Sequence, residues 1–191
     1  MNPTDWLYVP QVQQAVDYLH TVHRNLVPPE LQPFTRHVMG LPGFLQAPAS
    51  RTNHHNFPGG LVIHTADVIK RCVSLSPSML NMDVVIVAAF YHDCCKVFEY
   101  DYTFDVTDPS KNIITATPYR DEIGHIFGAA MMFKERCNEL GTDSKFRDTV
   151  LHCILSHHGR KEWGSPVEPR IPEAWLLHSC DMMSSQDRSQ L

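Results

Sequence analysis

The sequence predicts an all-α fold, a single bundle of about six or seven helices. In most segments apolar residues recur three or four positions apart, as they do on the buried face of a helix. Stretches rich in proline and glycine separate these segments, and nothing repeats at a fixed period. The helical pattern covers residues 1–27, 31–38, 61–73, 82–97, 125–141, 144–159 and 173–187.

The first two helices belong to the opening fifty residues. Pro28 and Pro29 end the first helix, and residues 41–50 are rich in proline, glycine and small side chains, as loops are. A chain of 191 residues suits one domain. We therefore expect residues 1–50 to be a helical extension packed on the domain that residues 51–187 form.

A polar turn, RTNHHNFPGG at residues 51–60, precedes the third helix. Its His54 and His55 suit an ordinary turn as well as a phosphate-binding site, so both interpretations stay open. In the helix that follows, His64 shares one face with core residues such as Leu61. This placement predicts that the His64 imidazole points into the interior.

The centre of the molecule is expected in the fourth helix, in the stretch VVIVAAFYHDCCK at residues 84–96. Apolar or small residues run directly into His92 and Asp93. A buried carboxylate beside a buried imidazole is costly unless it is paired, hydrogen-bonded or bound to a metal. The polar residues 99–121 that follow should form an irregular excursion or a small hairpin beside the site, where substrate contacts are expected.

Three later segments supply further candidate ligands. His125 opens the fifth helix, His157 and His158 close the sixth, and Asp181 lies within the last. Imidazoles at a helix C-terminus also suit the last carbonyl groups, so a purely structural role for His157 and His158 is an alternative. The recurrence of such residues in several helices favours a metal site.

Together these side chains suit two divalent cations. Nitrogen and carboxylate oxygen ligands without a thiolate are typical of Fe, Mn, Zn, Ni or Co. The expected ligands are His64, His92, Asp93 and Asp181 for one ion, and Asp93, His125 and either His157 or His158 for the other. Two ions roughly 3.5 to 4 Å apart can hold a hydroxide between them and clamp phosphoryl oxygens, which predicts phosphohydrolase chemistry. Lys96 is expected to neutralise a phosphoryl oxygen, unless it is an ordinary lysine that reaches solvent.

Charge and composition narrow the substrate and the location. The formal net charge is -5 with 16 lysines and arginines, which favours a small or single-ended phosphate substrate over duplex DNA. No apolar run approaches the roughly 20 residues of a membrane span, and the N-terminus lacks the layout of a signal peptide. The six cysteines lie mostly in apolar or helical segments, as reduced thiols do. We therefore expect a cytoplasmic protein without a membrane partner, and its oligomeric state stays open.

The order His, His-Asp, His, His-His, Asp resembles the HD superfamily of metal-dependent phosphohydrolases. The fuller motifs HHNFPGGLVIHT, AAFYHDCCK, IGHI, LHCILSHHGRKEWGSPVEP and EAWLLHSCD look like the HD domain of YhaM-type 3′→5′ exoribonucleases. The resemblance implies an all-helical domain that hydrolyses phosphodiester bonds with divalent metal ions. The metal ligands that it implies are His64, His92, Asp93, His125, His157 and Asp181. The resemblance also implies that His158, Lys96, His54 and His55 lie at the substrate. We therefore expect Asp93, Lys96 and His158 to be catalytic and His54, His55 and Lys161 to bind the substrate.

The substrate that this interpretation predicts is a nucleotide, a short oligonucleotide or a single-stranded 3′ end. Two alternatives come from other classes of protein. One is a di-iron oxygenase of the HD type, which cleaves a C–C or C–P bond with O₂. The other is a binding or accessory module for nucleic acid, because the same motifs faintly resemble the N-terminal part of MobH-type conjugative relaxases.

Overall fold

The computed structural model describes residues 10–53, 55–105, 108 and 111–187. His54, one of the predicted substrate contacts, lies outside these residues. Within them the chain forms eight α-helices and one two-stranded sheet. In chain order the elements are α1 (Pro10–Asn25), α2 (Gln32–Met39), α3 (Gly60–Leu75), α4 (Met82–Tyr91), β1 (Tyr100–Thr103), β2 (Ile113–Ala116), α5 (Pro118–Glu122), α6 (His125–Leu140), α7 (Ser144–Ser156) and α8 (Pro172–Gln186).

The predicted all-α bundle is confirmed, with the five-residue α5 as an additional short helix. The antiparallel pair β1–β2 is the small hairpin expected within residues 99–121, and it pairs Tyr100 with Ala116 and Thr103 with Ile113. None of the helices in the described part of the chain combines the length and the apolar character needed to cross a membrane.

Helix α4 lies at the centre of the bundle. Every residue from Val84 to Tyr91 is buried, and α4 packs against α2, α3, α6, α7 and α8. Asn81 caps its N-terminus, because the side-chain oxygen accepts hydrogen bonds from the backbone N–H groups of Asp83 (3.2 Å) and Val84 (3.4 Å). The cap and the neighbouring helices hold α4 in place, and this determines where His92 and Asp93 lie after its C-terminus.

The sequence pattern predicts that this helix continues to residue 97, but α4 ends at Tyr91. Asp93 has a φ of -116° and a ψ of 0°, and a 3₁₀ turn covers Cys94–Phe98. On a continuous helix, consecutive side chains point about 100° apart. The break allows the adjacent side chains of His92 and Asp93 to face one cavity, where their Nε2 and Oδ2 atoms lie 3.5 Å apart.

The opening helices share the hydrophobic core with the rest of the chain. Val12 and Leu19 of α1 and Phe34 of α2 are buried in the same cluster as α4. Helix α1 packs on α3, and α2 packs on α4. The boundary expected at residue 50 stays a prediction. All six cysteines are free and buried, as their apolar surroundings in the sequence indicate.

The turn before α3 lies directly against the start of that helix. The backbone N–H of Ala49 donates to the carbonyl of His55 (3.0 Å), and Gly60 N–H donates to the carbonyl of Phe57 (2.9 Å). His55 has a φ of 52°, in the left-handed region. A Cβ atom on Gly60 would overlap the His55 carbonyl, so only glycine allows this approach.

The substitution Gly60→Ala is expected to lower the free energy of unfolding by more than about 2 kcal/mol, because the added methyl group displaces backbone rather than a flexible side chain. Gly141→Ala is the matched control. A Cβ there meets nothing within 4 Å, so its cost is the left-handed conformation alone, about 1 kcal/mol. Urea denaturation measures both, and equal losses would contradict the close approach.

Candidate metal centre

Five helices bring the predicted ligands to one buried place. His64 comes from α3, His125 from the first turn of α6 and Asp181 from α8, while His92 and Asp93 follow α4. His157 follows α7 directly and serves as its C-cap. The side chains form two groups that share one carboxylate: His64, His92, Asp93 and Asp181, and Asp93, His125, His157 and His158. Within each group the candidate ligand atoms lie within 4.8 Å of one another.

Asp93 presents one carboxylate oxygen to each group. Its Oδ2 lies 3.3 Å from His64 Nε2 and 3.5 Å from His92 Nε2. Its Oδ1 lies 3.3 Å from His125 Nε2 and 3.6 Å from His157 Nε2. The side chain of Asp93 is 1% exposed. This arrangement suits a carboxylate that bridges two cations.

The first group is compact and wholly buried. His64 Nε2 lies 3.1 Å from Asp181 Oδ1 and 3.3 Å from His92 Nε2. The imidazole ring centroids of His64 and His92 are 5.4 Å apart. Together with Asp93 Oδ2, these atoms are four candidate cation ligands that lie within 4.8 Å of one another.

The second group is open on one side. The ring centroid of His157 lies 5.7 Å from that of His125 and 4.4 Å from that of His158. His157 is fully buried, whereas His158 is partly exposed. Sequence reasoning left open which of the two is the ligand, and the structure brings both to the same group.

Hydrogen bonds at Nδ1 turn the imidazoles so that Nε2 faces the centre. His92 Nδ1 donates to the carbonyl of Ala89 (2.8 Å), and His157 Nδ1 donates to the carbonyl of Ile154 (2.7 Å). A proton fixed on Nδ1 leaves the Nε2 lone pair available. This is the tautomer that a neutral imidazole needs in order to bind a cation through Nε2.

Two further partners, Glu99 and Ser184, were missed by the sequence analysis. Glu99 Oε1 accepts from both the Nδ1–H (2.8 Å) and the backbone N–H (2.7 Å) of His125, so it orients the ring and caps α6. The Ser184 hydroxyl bonds to His64 Nδ1 (3.0 Å). Neither residue has a distinctive motif, because Glu99 lies in a polar stretch and Ser184 is one small residue of α8.

The polar atoms at the centre meet the physical test for a metal site. Asp93 Oδ1, His125 Nε2 and His157 Nε2 are buried and make no hydrogen bond within the described part of the chain. Buried polar atoms of this kind are normally satisfied, so several of them at one point indicate an absent ligand. Imidazole nitrogens and carboxylate oxygens without a thiolate suit Fe, Mn, Zn, Ni or Co. The residues present therefore fit divalent metal ions.

Burial and neighbouring charges shift the pKa values of these side chains in different directions. Burial would lower the pKa of His64, but hydrogen bonds to Asp181 and Asp93 outweigh it and raise the pKa to about 9. Burial lowers the pKa of His92 to about 4. Burial also opposes ionisation of Asp93, yet the Lys96 ammonium and neighbouring imidazoles hold its pKa well below the usual value. Without a cation, a proton on His64 therefore balances part of the carboxylate charge.

The remaining predicted site residues lie at different distances from the centre. Lys96 Nζ forms an ion pair with Asp93 Oδ2 (2.7 Å), and this contact raises the pKa of Lys96 although burial opposes it. The buried His55 ring lies 5.5 Å from the His64 ring. Lys161 is exposed in the 3₁₀ turn Lys161–Trp163. The structure thus brings Lys96 and His55 to the ligand groups and leaves Lys161 on the surface.

The chain is similar to a family model and to several curated proteins. The family model described as "HD domain" matches residues 61–185. The chain is 33% identical over 191 residues to the 3′-5′ exoribonuclease YhaM of Halalkalibacterium halodurans, over 97% of this chain and 54% of that protein. It is 35% and 34% identical over 163 residues to the proteins of the same name from Bacillus pumilus and Bacillus licheniformis, over 83% of this chain and 49% of each of them. The chain therefore spans about half the length of the curated relatives it matches. No solved structure is significantly similar to it.

The shared carboxylate predicts how metal binding responds to substitution. Asp93→Asn is expected to weaken binding at both positions, whereas Asp181→Asn and His125→Ala should each remove one of two bound ions. Metal content after equilibrium dialysis against Mn²⁺ measures the stoichiometry. Asp148→Asn is the matched control, because this exposed carboxylate pairs only with Arg147 among the partners that the structure describes. Two ions retained by Asp93→Asn would contradict the bridge.

Glu99→Gln tests the hydrogen bond behind His125. Loss of the carboxylate charge should weaken the metal position at His125 by about 10- to 100-fold, the usual effect of removing an outer partner of a metal ligand. The position at Asp181 should lose less affinity, because the substitution reaches it only through the shared Asp93 carboxylate. Competition titrations with a metal indicator resolve the two constants. The control is Glu139→Gln, which removes an exposed carboxylate that pairs with Arg136, and equal weakening of both positions would argue against the assignment.

Proposed function

The chain belongs to the HD domain family, and from that premise we propose that it is a divalent-metal-dependent phosphodiesterase. Its proposed substrate is a nucleotide, a short oligonucleotide or the 3′ end of a single strand. Residues 51–187 would form the hydrolase domain and residues 1–50 its helical extension. The proposed cofactors are two divalent ions, Mn, Fe, Ni, Co or Zn.

The observation that carries this proposal is the position of Asp93. Its two oxygens face two separate groups of imidazoles, 3.3 Å from His64 on one side and 3.3 Å from His125 on the other. A site for one metal ion would need ligands at only one oxygen of Asp93, whereas here imidazoles face both oxygens. Two cations on one bridge are the arrangement that phosphoryl transfer uses.

Bound divalent ions would supply Lewis-acid activation of water and neutralise the charge that develops on the phosphoryl oxygens. The protein's own part is to hold its ligands rigidly, since they come from five packed helices. Lys96 offsets the charge of the buried Asp93 carboxylate and keeps it oriented. Its ammonium group also adds positive potential where the substrate phosphate binds.

His158 is the partly exposed imidazole at this centre. Its Nδ1–H donates to the carbonyl of Trp163 (2.8 Å), which leaves Nε2 as an acceptor. Burial and the neighbouring imidazoles of His157 and His125 lower the pKa of His158 to about 3. At neutral pH the ring is therefore uncharged, so it can bind a cation or accept a hydrogen bond from water at Nε2 but does not act as a general acid.

The relatives support nucleic acid as the substrate, because they bear the name 3′-5′ exoribonuclease. That name also favours hydrolysis over the oxygenase and the accessory module. The formal charge of -5 favours a strand that enters by its end over a duplex held along its length. We therefore propose that a single phosphodiester at a strand end reaches the metal centre.

The test uses 5′-labelled single-stranded RNA and bis(p-nitrophenyl) phosphate, each with Mn²⁺, Fe²⁺, Ni²⁺, Co²⁺ or Zn²⁺. We expect nucleoside monophosphates and a ladder that shortens from the 3′ end, and at least about a 100-fold lower rate for Asp93→Asn because the bridge is lost. Circular dichroism must show that Asp93→Asn is folded, since the substitution removes the partner of the buried Lys96. Two intact substrates with every ion would sink the proposal.

A further inference from the structure

A cleft beside the metal centre has no part in the hydrolysis described above. It lies between residues 51–52 and 56–57 on one side and the start of β2 on the other, and its volume is about 450 Å³. Sites for small ligands are usually roughly 300 to 1,000 Å³ in volume. The side chains that line it are Arg51, Thr52, Asn56, Phe57, Asn112 and Ile114.

One wall of the cleft is linked to the metal centre through His55, and the other follows the metal centre closely in the chain. Behind the first wall, the His55 ring lies between the rings of His64 and Phe57. Its centroid is 5.5 Å from that of His64 and 5.9 Å from that of Phe57. The other wall is the hairpin, which follows the 3₁₀ turn that carries Lys96. The ring contacts from His64 through His55 to Phe57 thus connect the metal centre with the cleft.

The wall formed by the turn is held in place before any ligand binds. The carbonyl of His55 accepts a hydrogen bond from Ala49 N–H (3.0 Å), and that of Phe57 accepts one from Gly60 N–H (2.9 Å). The left-handed backbone of His55, with a φ of 52°, persists only where such contacts fix it. Phe57 and its neighbours thus form a surface that needs little ordering to bind.

The chemistry of the lining matches a nucleoside. Phe57 offers a partly exposed aromatic ring, on which a base can stack. Asn56 and Asn112 carry amides, which both donate and accept hydrogen bonds as the edges of bases do. Asn112 Oδ1 accepts from the backbone N–H of Asp105 (2.9 Å), which fixes that amide. Arg51 is a cation for a neighbouring phosphate, and none of the described lining residues is a carboxylate.

We infer that this cleft is the subsite for the nucleoside part of the substrate. The base stacks on Phe57, the amides of Asn56 and Asn112 read its edge, and Arg51 pairs with a backbone phosphate. This inference rests on the proposed function, because a nucleotide phosphodiester at the metal centre is what places a base beside Phe57. It adds to that function a separate binding site for the base, formed by residues that are not candidate metal ligands.

Two chromogenic esters separate the subsite from the metal chemistry. The p-nitrophenyl ester of thymidine 5′-monophosphate and bis(p-nitrophenyl) phosphate release the same product, but only the first carries a nucleoside. The measured quantity is kcat/KM for the thymidine ester divided by kcat/KM for bis(p-nitrophenyl) phosphate. Phe57→Leu, which keeps an apolar side chain and removes the ring, should lower this ratio about tenfold, the size of a lost stacking contact. Phe57→Trp should restore it.

The polar positions have matched controls on the surface. Asn112→Ala and Arg51→Ala should each lower the ratio severalfold, mainly through KM for the thymidine ester. Asn138→Ala and Arg24→Ala remove the same side chains from exposed positions on α6 and α1 and should leave the ratio at the wild-type value. Losses of the same size at the cleft and control positions would overturn the inference.

A binding measurement tests whether the cleft binds the base, and it does not depend on catalytic activity. Adenosine 5′-monophosphate and ribose 5-phosphate are titrated into protein loaded with diamagnetic Zn²⁺, which would anchor the phosphate of both, and binding is followed by NMR chemical-shift changes. We expect the base to strengthen binding, and Phe57→Leu to abolish that difference. Equal binding of the two compounds overturns the inference and leaves the proposed hydrolysis standing. If the wild-type protein hydrolyses neither the two esters nor single-stranded RNA, the proposed function is rejected instead, and the comparison of adenosine 5′-monophosphate with ribose 5-phosphate then decides the subsite alone.

Discussion

The structure depends on one buried carboxylate, that of Asp93. An ionised carboxylate in the interior loses its hydration and is tolerated only among charges and donors that replace it. Here the replacement is the Lys96 ammonium at 2.7 Å and a ring of imidazoles that face both oxygens. The five helices therefore pack around an ionised side chain, and the groups that balance its charge are part of the core.

Three of the five helices deliver their ligands at their ends, whereas His64 and Asp181 lie within α3 and α8. Helix α4 ends just before His92, α6 begins at His125 and α7 ends just before His157. Backbone groups at helix ends lack partners within the helix and need side chains to satisfy them. Glu99 meets this need at α6 while it orients the His125 ring, so one carboxylate serves the fold and the site together.

The sequence predicts much of this because two kinds of signal are local. Apolar periodicity places the helices, and polar residues on apolar faces, such as His64 and Asp181, indicate a buried polar site. The break after Tyr91 was not predictable, because the residues around it continue a helical pattern and tertiary contacts decide where the helix ends. The contact of Glu99 with His125 also depends on tertiary placement, as does the cleft between Phe57 and Asn112, since these residues are distant in sequence.

The two oxygens of Asp93 are not equivalent, and this asymmetry connects the charge balance to function. Oδ2 faces Lys96 and His64, whose pKa of about 9 keeps a proton in that group at neutral pH. Oδ1 faces His125 and His157, whose Nε2 atoms make no hydrogen bond within the described residues. A cation in the first group must displace a proton, because a metal ligand must be deprotonated, whereas a cation in the second meets lone pairs already exposed. The two positions share one carboxylate, so a cation at either position changes the electrostatic potential at the other. By linkage, each cation changes the affinity for the other by the same factor. A carboxylate that would bridge two cations in the proposed hydrolysis would therefore also make their binding interdependent.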